Sequence, residues 1–401
     1  MAIEVRPCEP EELKLGLTPI FHFFGSAPSE EGLASISRVL PAERLHMALE
    51  VGSPVGGAGA FPFELTVPGG RVRAAGVTVV GVLPTHRRRG VLKSMMRAQL
   101  DDIHERGEPV AYLWASEETI YGRFGYGVAS FSGEIGVPRN RSAFAVPVEK
   151  RGRIRLVSHE EALELIPPIY ERVAAETPGM FARSREWWEA RALSDPEYRR
   201  GGGGEMQRVV VEVDGRVEAY ALYRLHMGFE DGVPTGYTNV IEAMGTTPEA
   251  TREIWRFLFD IDWMNSIKAG LLPVDHPLLL TLAEPRRLGF RVLDGLWVRL
   301  VDVEAALGAR SYAPGERVVL EVRDSFCSWN EGRYEVPGGS RTDAEPDLAV
   351  DVTMLGSIYL GGFTFAELAR ALRVEERRPG AIARADTLFR ADRAPWCPEI
   401  F

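Results

Sequence analysis

A chain of 401 residues exceeds what one hydrophobic core usually serves, so two or three domains are expected. Its apolar content of 45% and mean hydropathy of −0.10 leave ample material to bury. Nothing approaches the run of about eighteen apolar residues that spans a membrane, and Met1-Ala2-Ile3-Glu4-Val5-Arg6 is no apolar leader, so neither a membrane span nor secretion is expected. A net charge of −10, from 47 basic and 57 acidic side chains, disfavours a nucleic-acid partner and favours cationic ones.

Phe63-Glu64-Leu65-Thr66-Val67 alternates apolar and polar residues as a half-buried strand does; Pro68-Gly69-Gly70 is a tight turn, and Gly76–Val82 a second strand. That strand ends in Val80, Gly81 and Val82 and runs into Leu83-Pro84-Thr85-His86-Arg87-Arg88-Arg89-Gly90. This basic, glycine-bearing turn opens onto a helix whose Leu92, Met95, Met96, Leu100 and Ile103 recur at helical spacing. The amides of Arg89, Gly90, Val91 and Leu92 would then converge beside the positive end of the helix, where a diphosphate fits. Arginines clustered at a helix N-terminus oppose its dipole unless an anion sits there, so Arg88, Arg89 and Lys93 read as charge for that anion. A further strand, Val110–Ala115, precedes Ser116-Glu117-Glu118 and then Tyr121-Gly122-Arg123-Phe124-Gly125-Tyr126.

Val137–Pro147 reads as a connector, and a new unit starts near the strand Arg153–Val157. Pro167-Pro168 should interrupt the following helical pattern or start a second helix. Gly201-Gly202-Gly203-Gly204 is a loop ahead of the strand Val209–Val213. Ala243–Pro248 repeats the Gly-x-x-Pro spacing of Val80–Pro84, and both lead into amphipathic helices. In the second copy Glu249–Ile254 replaces the basic turn; it lacks glycine, and its carboxylates would repel a diphosphate. Glu284–Gly289 closes this unit. In the last part Val318–Val322 and Leu348–Val352 are strands, Trp329–Tyr334 suggests a hairpin, and Thr364–Leu372 and Pro379–Phe389 are helical, an order that suits a separate α+β domain.

The turn Arg87–Gly90 resembles the one by which GNAT-type acetyltransferases hold acetyl-CoA, with Leu92 where a small residue is usual, and Tyr121–Tyr126 resembles their tyrosine signature. Leu355–Gly362 with the helix after it resembles a sterol-carrier protein. With Ala115-Ser116-Glu117, Ser357–Gly361 and the terminal Phe401, the whole chain resembles the enhanced-intracellular-survival (Eis) acetyltransferases. The resemblance implies an α+β protein of three parts: an N-terminal GNAT domain (1–150), a degenerate GNAT-like domain (151–288) and a sterol-carrier-like domain (289–401).

It further implies acetyl-CoA as co-substrate, with the pantetheine arm along the backbone of Val80, Gly81 and Val82 and beside Ser116 and Glu117, although a serine followed by acidic residues is also a good helix N-cap. Tyr121 would be the general acid that protonates the departing thiolate. The carboxylate of Phe401 would be the general base, and the stiff, apolar run Ala394–Phe401 is unlike a frayed terminus. Phe23, Phe24, Trp187 and Trp188 are candidates for the acceptor pocket, since aromatic faces hold cations and apolar bodies alike. The acceptor implied is an aminoglycoside-like, polyamine-like or lysine-type amine, on a small molecule or a peptide, attacked directly: no cysteine stands near the tyrosine block in sequence. A cytoplasmic homo-hexamer is expected. Cys8, Cys327 and Cys397 are far apart and the seven histidines show no metal-ligand spacing, so neither a disulfide framework nor a metal is expected. The alternative is a lipid- or ligand-binding protein that uses its sterol-carrier-like domain and carries a vestigial acetyltransferase.

Overall fold

A computed structural model describes residues 3–23, 25, 29–147, 149–150 and 152–401. The chain begins with β1 (Ile3–Pro7), α1 (Leu13–Phe23), α2 (Glu30–Ser37), β2 (Leu45–Glu50), β3 (Ser53–Val67), β4 (Gly70–Val82), α3 (Val91–Glu105), β5 (Val110–Trp114), α4 (Glu118–Tyr121) and β6 (Gly127–Val128). It continues through β7 (Phe131–Pro138), β8 (Arg153–Leu156), α5 (His159–Leu165), α6 (Pro167–Ala175), α7 (Arg185–Trp187), β9 (Gln207–Val213), β10 (Arg216–His226), the small pair β11 (Phe229–Glu230) and β12 (Val233–Pro234), β13 (Gly236–Gly245), α8 (Pro248–Asp260), β14 (Met264–Leu272), α9 (Leu278–Thr281) and β15 (Arg291–Asp294). The last elements are β16 (Leu296–Leu300), α10 (Val303–Ala309), β17 (Val318–Arg323), β18 (Gly332–Val336), β19 (Leu348–Asp351), α11 (Val352–Tyr359), α12 (Phe365–Arg370), β20 (Val374–Glu376) and α13 (Ala381–Phe389).

These elements form two compact units. The first comprises Met1–Ser130, Leu296–Pro395 and Ile400–Phe401, the second Phe131–Gly295 and Trp396–Glu399. The first holds a seven-stranded sheet in the order β1-β2-β3-β4-β5-β16-β6 and a four-stranded sheet in the order β18-β17-β19-β20. The second holds a seven-stranded sheet in the order β15-β7-β14-β13-β10-β9-β8. Taken from its other edge, the second order repeats the first, with β13, α8 and β14 matching β4, α3 and β5. The echo at Ala243–Pro248 is therefore a repeat of structure.

One strand in each sheet breaks the chain's continuity. β7 follows β6 in sequence but pairs with β14 and β15; β16 follows β15 but pairs with β5 and β6. The units accordingly change at 130/131 and 295/296, displaced from the sequence boundaries 150/151 and 288/289. The supposed connector Val137–Pro147 starts within β7. The hairpin expected at Trp329–Tyr334 is also displaced: Ser328–Asn330 is a 3-10 turn, and β17 pairs with β18 beyond it.

In the first unit α3 buries Met96, Leu100 and Ile103 against Ala75, Val77, Ala111 and Leu113 of the sheet, and Met95 against Ala48, Ala58 and Val82. The sterol-carrier-like part joins that sheet through α11, whose residues are all buried. A Cβ on Gly127 of β6 would lie 1.9 Å from the Thr353 carbonyl, and one on Gly356 would lie 2.2 Å from the Val298 carbonyl. Glycine at both positions lets helix and strand backbones touch.

Candidate active site

β4 pairs in parallel with β5 only from Ala74 to Gly76, against Val110 to Tyr112. Beyond that rung β4 runs on to Val82 while β5 pairs with β16, so the sheet opens. Opposite β3 the register slips between Gly57 and Gly59: Val79 and Val80 face Ala58 alone, with Val79 at φ 45°. Such a bulge re-aims a strand. Here it lies between the opening and the turn, at the predicted Val80, Gly81 and Val82.

The turn then delivers the N-terminus of α3. Gly90 is the N-cap, at φ 85° and ψ −3°, and no side chain caps the helix. The first-turn amides, Val91, Leu92 and Lys93, therefore have no partner within the helix. A Cβ on Gly90 would meet nothing within 4 Å, so the approach is open. Arg88, at φ 60°, and Lys93 are exposed beside it. Arg89 is drawn aside: its guanidinium pairs with Glu50, which also bonds His86 at 2.9 Å. Arg89 and then His86 hold the Glu50 carboxyl below the usual carboxylate range. Glu50 was not foreseen, because its partners lie 36 and 39 positions away. Phe23 sits under the guanidinium of Arg87 at 4.9 Å, and Phe24 lies outside the described residues.

Tyr121 ends α4 and is buried in the cluster that α3 forms with the sheet. Its ring meets Tyr126 edge-on, with centroids 6.0 Å apart. Burial pushes its hydroxyl up to about 12, against a hydrogen bond with Ser116, while Glu117 pushes the same way as burial. Ser116 thus bonds Tyr121, and the N-cap of α4 is Glu117, without a side-chain cap bond. Cys327, remote in sequence, belongs to the same cluster. The expectation that no cysteine stands near the tyrosine block holds along the chain and fails in space. The thiol is fully buried and pushed up by that burial, which disfavours the nucleophilic thiolate.

Phe401 packs on the other face of the same sheet. Its ring stands edge-on to Phe63 of β3 at 5.3 Å and to Tyr112 of β5 at 5.0 Å, and a Cβ on Gly76 of β4 would lie 3.2 Å from it. Gly76 and Tyr112 form the last rung before the strands part. Because side chains alternate across a strand, they point away from Ala75, Val77, Ala111 and Leu113, which pack with Tyr121. Tyr121 and Phe401 therefore flank the opening from opposite faces.

The second unit repeats the frame without the turn. The N-terminus of α8 is capped by its own Thr247, whose hydroxyl accepts from the Ala250 amide at 3.1 Å, with Glu249 in the first turn. Cap and carboxylate satisfy what a phosphate would. Trp187 and Trp188 are buried rather than presented to a cavity: Trp188 packs edge-on to Tyr170 at 5.3 Å, and Trp187 packs on Phe181 and donates to Glu399 at 2.9 Å. Sequence reasoning passed over Arg183, which ion-pairs with Glu242 at 2.6 Å and Glu399 at 2.9 Å.

Models of an acetyltransferase (GNAT) domain match residues 4–129 and 179–300, and that of a sterol carrier protein domain matches residues 303–398. An uncharacterized N-acetyltransferase of Streptomyces coelicolor is 40% identical over 414 residues, covering 100% of both chains. The N-acetyltransferase Eis of Mycobacterium tuberculosis is 36% identical over 353 residues, 84% of this chain and 83% of that one. The crystal structure of Eis1 from Mycobacterium abscessus matches with a TM-score of 0.86 and 35% identity, covering 99% of this chain and 100% of that one.

Proposed function

The chain belongs to the Eis family of GNAT N-acetyltransferases, and from that premise we propose that its first unit transfers an acetyl group from acetyl-CoA to an amine at the opening between β4 and β5. GNAT acetyltransferases use acetyl-CoA as co-substrate, which supplies an activated acetyl thioester. The uncapped α3 N-terminus behind Gly90 and the parted strands fit a diphosphate and a pantetheine arm. The amides of Arg89, Gly90, Val91 and Leu92, with Arg88 and Lys93, would hold the diphosphate; Val80, Gly81 and Val82 would hold the arm, with Ser116 and Glu117 beside it.

The observation that carries the mechanism is the placement of Tyr121 and Phe401 on opposite faces of the opening. An amine arriving on the Phe401 face would lose its proton to the terminal carboxylate as it becomes acidic on attack. On the other face the Tyr121 hydroxyl, protonated at any physiological pH, would donate to the departing sulfur. Complete transfer from a group near 12 to a thiolate near ~8.5 is uphill by about 5 kcal/mol. The hydroxyl would therefore stabilise the thiolate chiefly as a hydrogen-bond donor.

The acceptor class follows from the family and the acidic net charge: aminoglycoside-like, polyamine-like or lysine-type amines. Release of free thiol from acetyl-CoA with a panel of these amines tests the reading; no turnover with any class would reject it. The reading includes a cytoplasmic homo-hexamer. Sedimentation should give a species about six times the 44.4 kDa chain, and a monomer at micromolar concentration would reject that part. The lipid-carrier alternative gains nothing from the sterol-carrier-like part, where α11 is buried throughout and the Arg310 guanidinium fills the interior, donating to the carbonyls of Tyr359 and Phe389.

A further inference from the structure

Five arginines, Arg183, Arg191, Arg199, Arg200 and Arg224, line one cavity of about 480 Å³ in the second unit, against two carboxylates, Glu242 and Glu399. Those carboxylates are engaged. Glu242 receives both arms of Arg183, at 3.0 and 2.6 Å, and the Tyr220 hydroxyl. Glu399 receives Arg183 and the Trp187 indole, each at 2.9 Å. Asp195 takes Arg224 at 2.5 Å, Arg200 at 3.4 Å and the Met206 amide at 2.9 Å.

Arg191 and Arg199 remain. Among the described residues neither has a carboxylate within the 4.0 Å of an ion pair. The Nε of Arg191 is buried without a hydrogen-bond partner, and its guanidinium lies 5.4 Å from the Trp187 ring centre. Burial pulls that guanidinium below its usual range. Arg199 is held beside it, donating to the Arg191 carbonyl at 3.1 Å. A guanidinium whose Nε is shielded and unbonded, and whose nearest counter-charge, Glu399, is already ion-paired to Arg183, is a costly arrangement that a bound anion would relieve.

We infer that this cavity binds an oxyanion, the carboxylate or phosphate group of a small molecule, on Arg191 and Arg199. The planar fork of arginine matches both groups, and the volume lies within the range of small-molecule sites. The inference is independent of the proposed acetyl transfer: it uses neither Tyr121 nor Phe401.

The test is thermal denaturation of the full chain in inorganic phosphate, in malonate, and in chloride at matched ionic strength. Phosphate or malonate should raise Tm by about 2–4 °C above the chloride arm, and the larger response identifies the preferred oxyanion. Arg191→Gln and Arg199→Gln should each weaken the response at least ~10-fold in concentration, the loss of one charge-assisted pair. Without ligand, Arg191→Gln should melt no lower than the parent, because it removes an unpaired charge. If that variant fails to fold, or melts several degrees lower, Arg191 is a structural cation and the assignment falls. Gly90→Val should keep the response; loss there would place the anion at the α3 turn and overturn the proposal. A response equal to chloride, or undiminished in both arginine variants, would overturn it as well.

Discussion

Phe401 stands edge-on to Tyr112, ring centroids 5.0 Å apart at 69°, over the rung where β4 and β5 last pair. The last side chain of the sequence thus marks the point where the sheet opens. If its carboxylate is the base, chain length sets the position of that charge to within one residue. One or two added glycines should lower kcat ~10²-fold or more, the contribution of a positioned base. Acetyl-CoA affinity and Tm should stay within error. Deleting Phe401 would also remove a buried ring that contributes about 1.5–3 kcal/mol, so the extension is the cleaner change. A C-terminally tagged protein with full activity would place the base elsewhere.

Tyr121→Phe should leave acetyl-CoA binding intact and lower kcat ~10²-fold, the lower end for acid catalysis, because water can also reach a departing sulfur. Burial keeps the hydroxyl protonated to about 12, so any alkaline limb in kcat below pH 10 belongs to another group and should persist in the variant. Its disappearance would show that Tyr121 titrates far lower than its surroundings imply. Wild-type turnover would make the residue structural.

Gly90 should matter for conformation before space. Its φ of 85° is strained for a β-branched residue, while a Cβ there meets no protein atom. Gly90→Val should weaken acetyl-CoA binding ~10–100-fold at a cost of about 1–2 kcal/mol in stability. Gly90→Asn, which tolerates the left-handed region, should weaken it less. Calorimetric titrations that match the parent for both variants would remove the phosphate site from this turn.

Fragments should behave asymmetrically. A chain ending at residue 150 lacks β16, so β5 has an exposed edge and β6 loses the pairing of Val128 with Trp297. It should not unfold cooperatively. A 131–295 fragment keeps every strand of its own sheet and lacks only Trp396–Glu399, so it should fold with lowered stability. Circular dichroism melts of the two fragments decide the matter, and a sharp transition for the first would count against the sheet order.

What the sequence disclosed was local. The turn into α3, the tyrosine block and the break at Pro167 depend on residues within a few positions of one another, and each formed where expected. Exchange of β7 and β16 was not legible, because partners far apart in the chain, such as Pro138 with Ser266 and Val110 with Leu300, leave no periodic trace in either strand. The same holds for Glu50 under the arginine turn and for Cys327 beside Tyr126, which only the assembled sheet brings together. Trp188 shows the limit from the other side: an aromatic pair looks alike whether it lines a pocket or fills a core, and here Tyr170 closes over it.

The crossing of β7 and β16 also bears on how far the two copies depend on each other. Substitutions at Thr247 or Glu249 touch only the N-terminus of α8, and the first sheet does not register them. Excising the repeat is a matter of where the cut falls: Ser130 and Leu296 are hydrogen-bonded neighbours at the ends of the antiparallel β6 and β16, so joining them leaves the first sheet with all its strands. The second copy is therefore free to drift in chemistry while the first sheet keeps its own strands. A cut that takes β16 as well would instead leave β5 with an open edge.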